Sequence, residues 1–164
     1  RDHRSRLYAH TMPRMSDLTH LDDKGQAKMV DVGHKPVVRR EAVAQGDFVA
    51  AKATLDRLLA GDLPKGEALA VARIAGIAAA KRTDELIPLC HSLPLDSVSV
   101  AFERVADDRL RVTATASVSA RTGVEMEALV AVSIACLTLY DMTKAIDKGL
   151  RIEDVVLVRK SKAE

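Results

Sequence analysis

The sequence predicts an α+β fold, an antiparallel sheet packed against helices. Three observations carry that expectation. Residues 96–119 hold two runs of period-2 alternation around a tight turn, the pattern of a hairpin with one buried face. Two long stretches, Glu67–Ile87 and Val124–Lys148, are apolar at helical spacing. From Val37 onward the elements run strand, helices, strand, strand, helix, strand, which is the split βαβ order of ferredoxin-like folds. With 164 residues, 48% apolar and 29% charged, the composition is that of one globular domain with its own core.

Taken in order, Asp22, Asp23 and Gly25 mark a turn, and a short strand is expected at Met29–Val32. The stretch "VVRREAVAQGDFVAA" (37–51) reads as a broken strand. "TLDRLLAG" is a short helix stopped by Gly61. After "DLPKG", Glu67–Ile87 reads as one helix, with Leu69, Ala72, Ile74, Ala75 and Ile77 at helical spacing, many alanines that favour helix and close packing, and Pro88 as its end. In the hairpin, Val98, Val100 and Phe102 share an apolar face with Leu110, Val112, Ala114, Ala116 and Val118. Arg111, Thr113, Thr115, Ser117 and Ser119 line its polar face. The helix at Val124–Lys148 is apolar on most sides until its last turns, so it is expected to pack on the sheet and on a second subunit. "RIEDVVLVRKS" supplies the last strand. The chain opens "RDHRSRLYAHTMPR" and "MSDLTH" follows from Met15. Residues 1–14 are therefore read as a non-native or disordered extension, and 15–164 as the domain.

Composition excludes several classes. A net charge of +2 is too weak to argue for nucleic acid, and 2% aromatic residues leave little for bases to stack on. "ALVAVSIACLTLY" is short of the roughly 20 apolar residues a membrane span needs. The N-terminal stretch lacks the apolar segment of a secretory signal. Two cysteines, Cys90 and Cys136, do not make a disulfide framework and suit a reducing cytoplasm.

Four segments could carry chemistry. In "ELIPLCHSLPL", Cys90 and His91 are adjacent. Neighbouring side chains do not readily meet at one tetrahedral zinc, no second ligand pair has structural-zinc spacing, and no metal is assigned. A Cys–His nucleophilic pair needs the groups to face each other, which chain neighbours rarely do. Two readings stay open: a buried cysteine beside a surface histidine, or a loop offering amides and an imidazole to a ligand. Lys65 in "PKGE" stands just before a helix start, where free N–H groups favour phosphate, and Arg73 and Lys81 follow about two turns apart. Each of these cations is equally a solvated surface charge. In "RTGVEMEA", Glu125 and Glu127 fit a ligand-binding turn or simple partners of the helix dipole. In "LYDMTKAIDK", Asp141 and Lys144 are i,i+3 on a helix that is apolar just upstream. They read either as a partly buried acid/base pair or as a surface ion pair worth ~0.3–0.5 kcal/mol.

The blocks "MVDV", "ARIAGIAAAKRTDELIPLCH", "TGVEMEAL" and "LYDMTKA" resemble the cyclic pyranopterin monophosphate synthase family of molybdenum cofactor biosynthesis, from about Leu18 to Lys160. The resemblance implies conversion of 3′,8-cyclo-7,8-dihydroguanosine 5′-triphosphate to cyclic pyranopterin monophosphate with release of pyrophosphate. It implies Lys65, Lys144 and Asp141 as catalytic residues, and Leu89, Cys90, His91, Met126 and Glu127 as substrate contacts, with Glu125 close by. Arg40, Arg73, Lys81 and Lys160 are the phosphate ligands it suggests. It further implies a homohexamer built as a trimer of dimers with sites between subunits, no resident cofactor, and Mg²⁺ at most as companion of the triphosphate. Ser92 departs from the family's pattern, where proline commonly follows the histidine. Two rival classes remain: an RNA-binding ferredoxin-like module, which would need aromatic residues on the sheet, and a non-catalytic, nucleotide-binding or scaffolding oligomer.

Overall fold

The computed structural model describes residues 20–163. The expected extension at residues 1–14, the start at Met15 and the beginning of the family resemblance at Leu18 lie outside the described residues. The described residues fall into two compact units, which divide between Asp31 and Val32.

In the first unit, Asp22 Oδ1 accepts from the backbone N–H groups of Lys24 and Gln26, and Gly25 takes a φ of 76°. Leu21 and Ala27 bridge across this turn. The turn at Asp22–Gly25 is as expected, but Met29–Val32 forms no strand.

The second unit holds β1 (Val38–Val49), α1 (Lys52–Leu59), α2 (Ala68–Ala80), α3 (Thr83–Leu86), β2 (Ser97–Ala106), β3 (Arg109–Ala120), α4 (Glu125–Thr143) and β4 (Arg151–Lys162). The sheet order is β2-β3-β1-β4, with every neighbouring pair antiparallel. Each βαβ unit thus straddles a strand of the other, as the element order predicts.

The sheet's helix face is built from small residues. Ala42 pairs Ala116 and Ala44 pairs Ala114, and all four are buried. Their low profile lets α4 lie close, and Ala128, Ala131, Val132, Ala135 and Leu139 of α4 are buried. Two glycines mark the closest approaches. A Cβ on Gly46 would stand 2.8 Å from Val132 Cγ1, and one on Gly76 would stand 2.8 Å from the Ala131 carbonyl oxygen. The second position seats α2 directly on the α4 backbone.

Three element expectations change. β1 is continuous, and the irregularities belong to its neighbour. β4 slips register between Gln45 and Asp47 and again between Val43 and Ala44, and Asp154 there adopts a φ of 52°. The stretch Glu67–Ile87 is two helices, because the chain tightens at Lys81–Arg82. The Arg82 N–H reaches Ala79 O at 3.0 Å, and the buried Thr83 hydroxyl donates to Ala80 O at 2.9 Å. α4 stops at Thr143 rather than Lys148, where Thr143 Oγ1 donates back to Leu139 O and the following N–H groups of Ile146 and Asp147 both turn onto Thr143 O. α1 ends as expected at Gly61, with a φ of 70°. α4 is long and apolar enough by composition to cross a membrane, yet more than half of it is buried within this fold.

The opposite sheet face carries the polar side of the hairpin, as predicted. Asp47 is its one deeply buried charge, 2% exposed and held by Arg109 at 2.9 Å and Arg111 at 3.0 Å. Phe48 is buried in the core and Phe102 packs against it, on the apolar side of their strands. Neither ring lies on the open face as a stacking platform.

Candidate active site

α4 places one functional cluster at each of its ends. At its C-terminal end, Asp141 lies in the last turn and Lys144 is the capping residue just beyond. Lys144 Nζ meets Asp141 Oδ1 at 2.8 Å. Lys65 arrives from the loop between α1 and α2, and its Nζ meets Asp141 Oδ2 at 2.9 Å and the Asp141 carbonyl oxygen at 3.1 Å. Gly66, with a φ of 91°, allows the turn that leads from Lys65 into α2. Lys65 stands two residues before the N-cap of α2, as expected, and its side chain reaches a carboxylate 76 residues away.

The three side chains are exposed in this chain, at 43%, 54% and 56% for Lys65, Asp141 and Lys144. The expectation of partial burial is thus not met within one copy, and pairing alone sets the electrostatics. The Lys144 and Lys65 ammonium groups hold the Asp141 carboxyl at about 2, and Asp141 raises Lys144 above the ordinary lysine range. At neutral pH the cluster is one carboxylate clasped between two cations.

The N-terminal end is built differently. Arg40 Nε donates to Ala120 O and its Nη2 to Arg121 O, which fixes the turn leading into the helix. The Glu125 carboxylate folds back over Gly123, into the space a Cβ there would take. Glu125 Oε1 accepts from Lys160 Nζ at 3.0 Å. Arg40, Glu125, Lys160, Glu41 and Lys162 line a cavity of about 300 Å³.

Glu127 is only 4% exposed. Burial pushes its carboxyl above the usual range, against its own backbone N–H, and the nearby Glu125 and Asp84 carboxylates add to the rise. Burial likewise pushes the Cys90 thiol up, with Glu127 and Asp84 contributing. A thiol held protonated is a poor nucleophile, which speaks further against a Cys–His pair, and Cys90 is only part-buried. His91 and Ser92 line a second cleft of about 260 Å³ with Ser119, Arg121 and Thr122. Leu89 and Met126 are part-exposed, at 36% and 37%.

Three of the expected catalytic residues therefore converge, and the expected substrate contacts gather elsewhere. Glu127 and Asp141 are fourteen residues apart on one helix, about 21 Å along its axis. Arg73 belongs to neither cluster. Its Nε donates to Val100 O at 3.2 Å, and its guanidinium lies 5.4 Å above the Phe102 ring. Lys81 lines a groove beside Ile77 and residues 93–98. Among the described residues, no three His, Cys, Asp or Glu side chains come together as a metal ligand set.

Sequence reasoning missed Lys162, Glu41 and Arg121. Strand alternation would have found Lys162, because it is i,i+2 from Lys160 and pairs directly with Arg40. Arg121 is inside the quoted "RTGVEMEA" segment but carries no signal of its own before the cleft with His91 is seen.

The MoaC family model matches residues 29–163. Over 145 residues the chain is 58% identical to the cyclic pyranopterin monophosphate synthase of Herpetosiphon aurantiacus, covering 88% of each chain. Over 146 residues it is 58% identical to the synthase of that name from Novosphingobium aromaticivorans, covering 89% of this chain and 92% of that one. The cyclic pyranopterin monophosphate synthase 1 of Mycobacterium tuberculosis is 54% identical over 144 residues, 88% of this chain and 85% of that one.

Proposed function

The chain belongs to the MoaC family, and from that premise we propose how its two clusters serve a lyase of molybdenum cofactor biosynthesis. The reaction converts 3′,8-cyclo-7,8-dihydroguanosine 5′-triphosphate into cyclic pyranopterin monophosphate and pyrophosphate. The observation that carries the assignment is the clasp of Asp141 between Lys65 and Lys144. Asp141 stays ionised at any physiological pH and favours the ammonium form of Lys144. Ammonium groups donate protons to the opening purine ring and stabilise charge on the leaving pyrophosphate. Asp141 orients the pair. Mg²⁺, where required, travels with the triphosphate.

Leu89, Cys90, His91, Met126 and Glu127 hold the purine-derived ring, and Arg40 and Lys160 with Lys162 take phosphate oxygens. Glu127, buried and easily protonated, offers a hydrogen-bond donor or acceptor to ring nitrogens. One substrate molecule does not span the roughly 21 Å between Glu127 and Asp141. The site is therefore completed by a second copy, the C-terminal end of one α4 facing the N-terminal end of another. Ile74 (68% exposed) and Leu137 (53%) are apolar side chains left open on α2 and α4, as an interface between copies requires. The hexamer that the family resemblance implies, a trimer of dimers in the cytoplasm, would supply that second copy.

Pyrophosphate release from the cyclic dihydroguanosine triphosphate, followed with the pterin product, tests the reading. Release of both by the purified protein, lost in Lys65→Ala and Lys144→Ala, is expected. A folded protein that releases neither would be a nucleotide-binding relative without turnover. Mixing inactive Lys144→Ala with inactive Glu127→Ala subunits tests the shared site: hybrids regain a fraction of turnover if the two ends come from different copies, and stay inactive if one copy supplies both.

A further inference from the structure

α1 begins without a capping side chain of its own, since its N-cap residue is Ala51. The missing acceptor comes from the far side of the sequence. Asp147 Oδ2 accepts from the Ala51 N–H at 2.9 Å and from the Thr54 hydroxyl at 2.9 Å, and its Oδ1 accepts from the Gly149 N–H at 2.8 Å. Asp147 thus does for α1 what a glutamate within the helix does in a capping box, from 96 residues away.

The two segments it joins are the two that bear the reacting lysines. On one side α1 is pinned by buried Leu55 and Leu58, turns at Gly61 and delivers Lys65. On the other, Asp147 follows Lys144 by three residues in a turn closed by the Ile146 and Asp147 N–H groups on Thr143 O, at 3.0 and 3.2 Å. Lys148 Nζ adds a bond to Lys144 O at 2.7 Å. Asp147 touches none of the Lys65, Asp141 or Lys144 side chains, so its effect on them passes through the backbone.

We propose that Asp147 is a positioning residue, which by tying the start of α1 to the turn after α4 holds both Lys65 and Lys144 in reach of Asp141. The inference rests on the assignment of those three side chains as the reacting groups. Burial alone would push the Asp147 carboxyl up, but the N–H groups of Ala51 and Gly149 and the Thr54 hydroxyl outweigh it and keep the carboxyl below its ordinary range. The tie is therefore ionised, and strong, at working pH.

The experiment compares wild type, Asp147→Ala, Asp147→Asn and Thr54→Val, each as the full chain in its native assembly. Two readouts are taken: kcat and KM for pyrophosphate release, and titration of the Lys144 ammonium by NMR on lysine-labelled protein, assigned with Lys144→Arg. Lys144 is faced by Asp141 and Tyr140, and Asp141 is shared with Lys65. Loosening the tie lets Lys144 drift from Asp141. Asp147→Ala is expected to lower kcat about 10–100-fold with KM little changed, the range a misplacement of about 1 Å produces. Its Lys144 titration should move down towards 10.5, the ordinary lysine value. Asp147→Asn, which keeps one acceptor oxygen, should fall between.

A folded Asp147→Ala protein with unchanged kcat and unchanged Lys144 titration would overturn the proposal. Should that variant fail to fold, Thr54→Val removes a single bond and carries the same test, with a smaller fall in kcat and the same direction of titration shift; no change in either overturns it. If wild type shows no turnover, the enzyme assignment fails. The titration still decides the positioning of Lys144 by itself.

Discussion

The two ends of α4 each carry a candidate site carboxylate, and the two are moved in opposite directions. Asp141, at the C-terminal end, is held at about 2; Glu127, in the first turn, is raised by burial. The helix dipole would do the reverse, favouring a charged carboxylate at the N-terminus and disfavouring it at the C-terminus. Its contribution is typically 0.3–1 kcal/mol, below one pKa unit. Two ammonium groups within 2.9 Å of Asp141, and near-complete removal of Glu127 from water, both exceed it. One end is a charged cluster open to solvent, and the other combines a buried carboxylate with the cation-lined cavity of Arg40, Lys160 and Lys162, which is the division expected if one end handles proton transfer and the other holds the heterocycle and its phosphates.

The strongest way to break this contrast is at the charged end. Lys144→Ala or Lys65→Ala should lower turnover at least about 100-fold, roughly 2.7 kcal/mol of transition-state stabilisation, while melting temperature barely moves, because exposed ion pairs contribute little stability. Normal turnover in either variant removes that lysine from the chemistry. Next comes the middle of the helix that separates the ends. Gly76→Ala should destabilise by about 1–3 kcal/mol, measured by denaturant unfolding. The added methyl meets the Ala131 backbone oxygen, which cannot step aside, and this outweighs the ~1 kcal/mol gain in helix propensity. A neutral or stabilising result would mean that α2 and α4 are less tightly seated.

At the pocket end, Lys160→Ala should raise KM about tenfold, roughly 1.4 kcal/mol, with kcat nearly intact. A fall in kcat alone would move Lys160 into the chemistry. The smallest effect sharpens the comparison most directly. Asp141 has a depressed pKa, so its contribution to stability is present above its ordinary 3.8 and is lost as pH falls through about 2. Glu127 has a raised pKa, so its contribution is present below 4.5 and is lost as pH rises through its folded value. Asp141→Asn should therefore be less stable than wild type at pH 7 and converge with it near pH 2. Glu127→Gln should gain on wild type towards pH 7 and converge below pH 4.5. Parallel curves for the two variants would erase the distinction drawn here.

Much of the architecture was legible from periodicity. The hairpin alternation placed Val100, Leu110, Val112 and Ala114 in the core before any coordinates, because side-chain direction in a strand is set by the backbone itself. The element order predicted the sheet order for the same kind of reason, since few connections are sterically available. The breaks were not legible. The division of Glu67–Ile87 depends on the Thr83 hydroxyl finding Ala80 O, and the register slips of β4 depend on how Gly46 admits Val132 and Val155. Asp141 and Lys144 were found because three residues on a helix are neighbours in space whatever the fold does.

The sequence by itself thus determined the α+β class, the apolar faces and the residue types that carry chemistry, all of which follow from local geometry and motif. Only the tertiary structure decided that Lys65 joins Asp141, about 21 Å along α4 from Glu127, while His91 lies in a separate cleft with Arg121 and Thr122. The sign of each carboxylate's shift was decided there too. Those outcomes depend on which distant segments meet and on how much water is excluded where they do, and neither quantity is a property of any short stretch of chain.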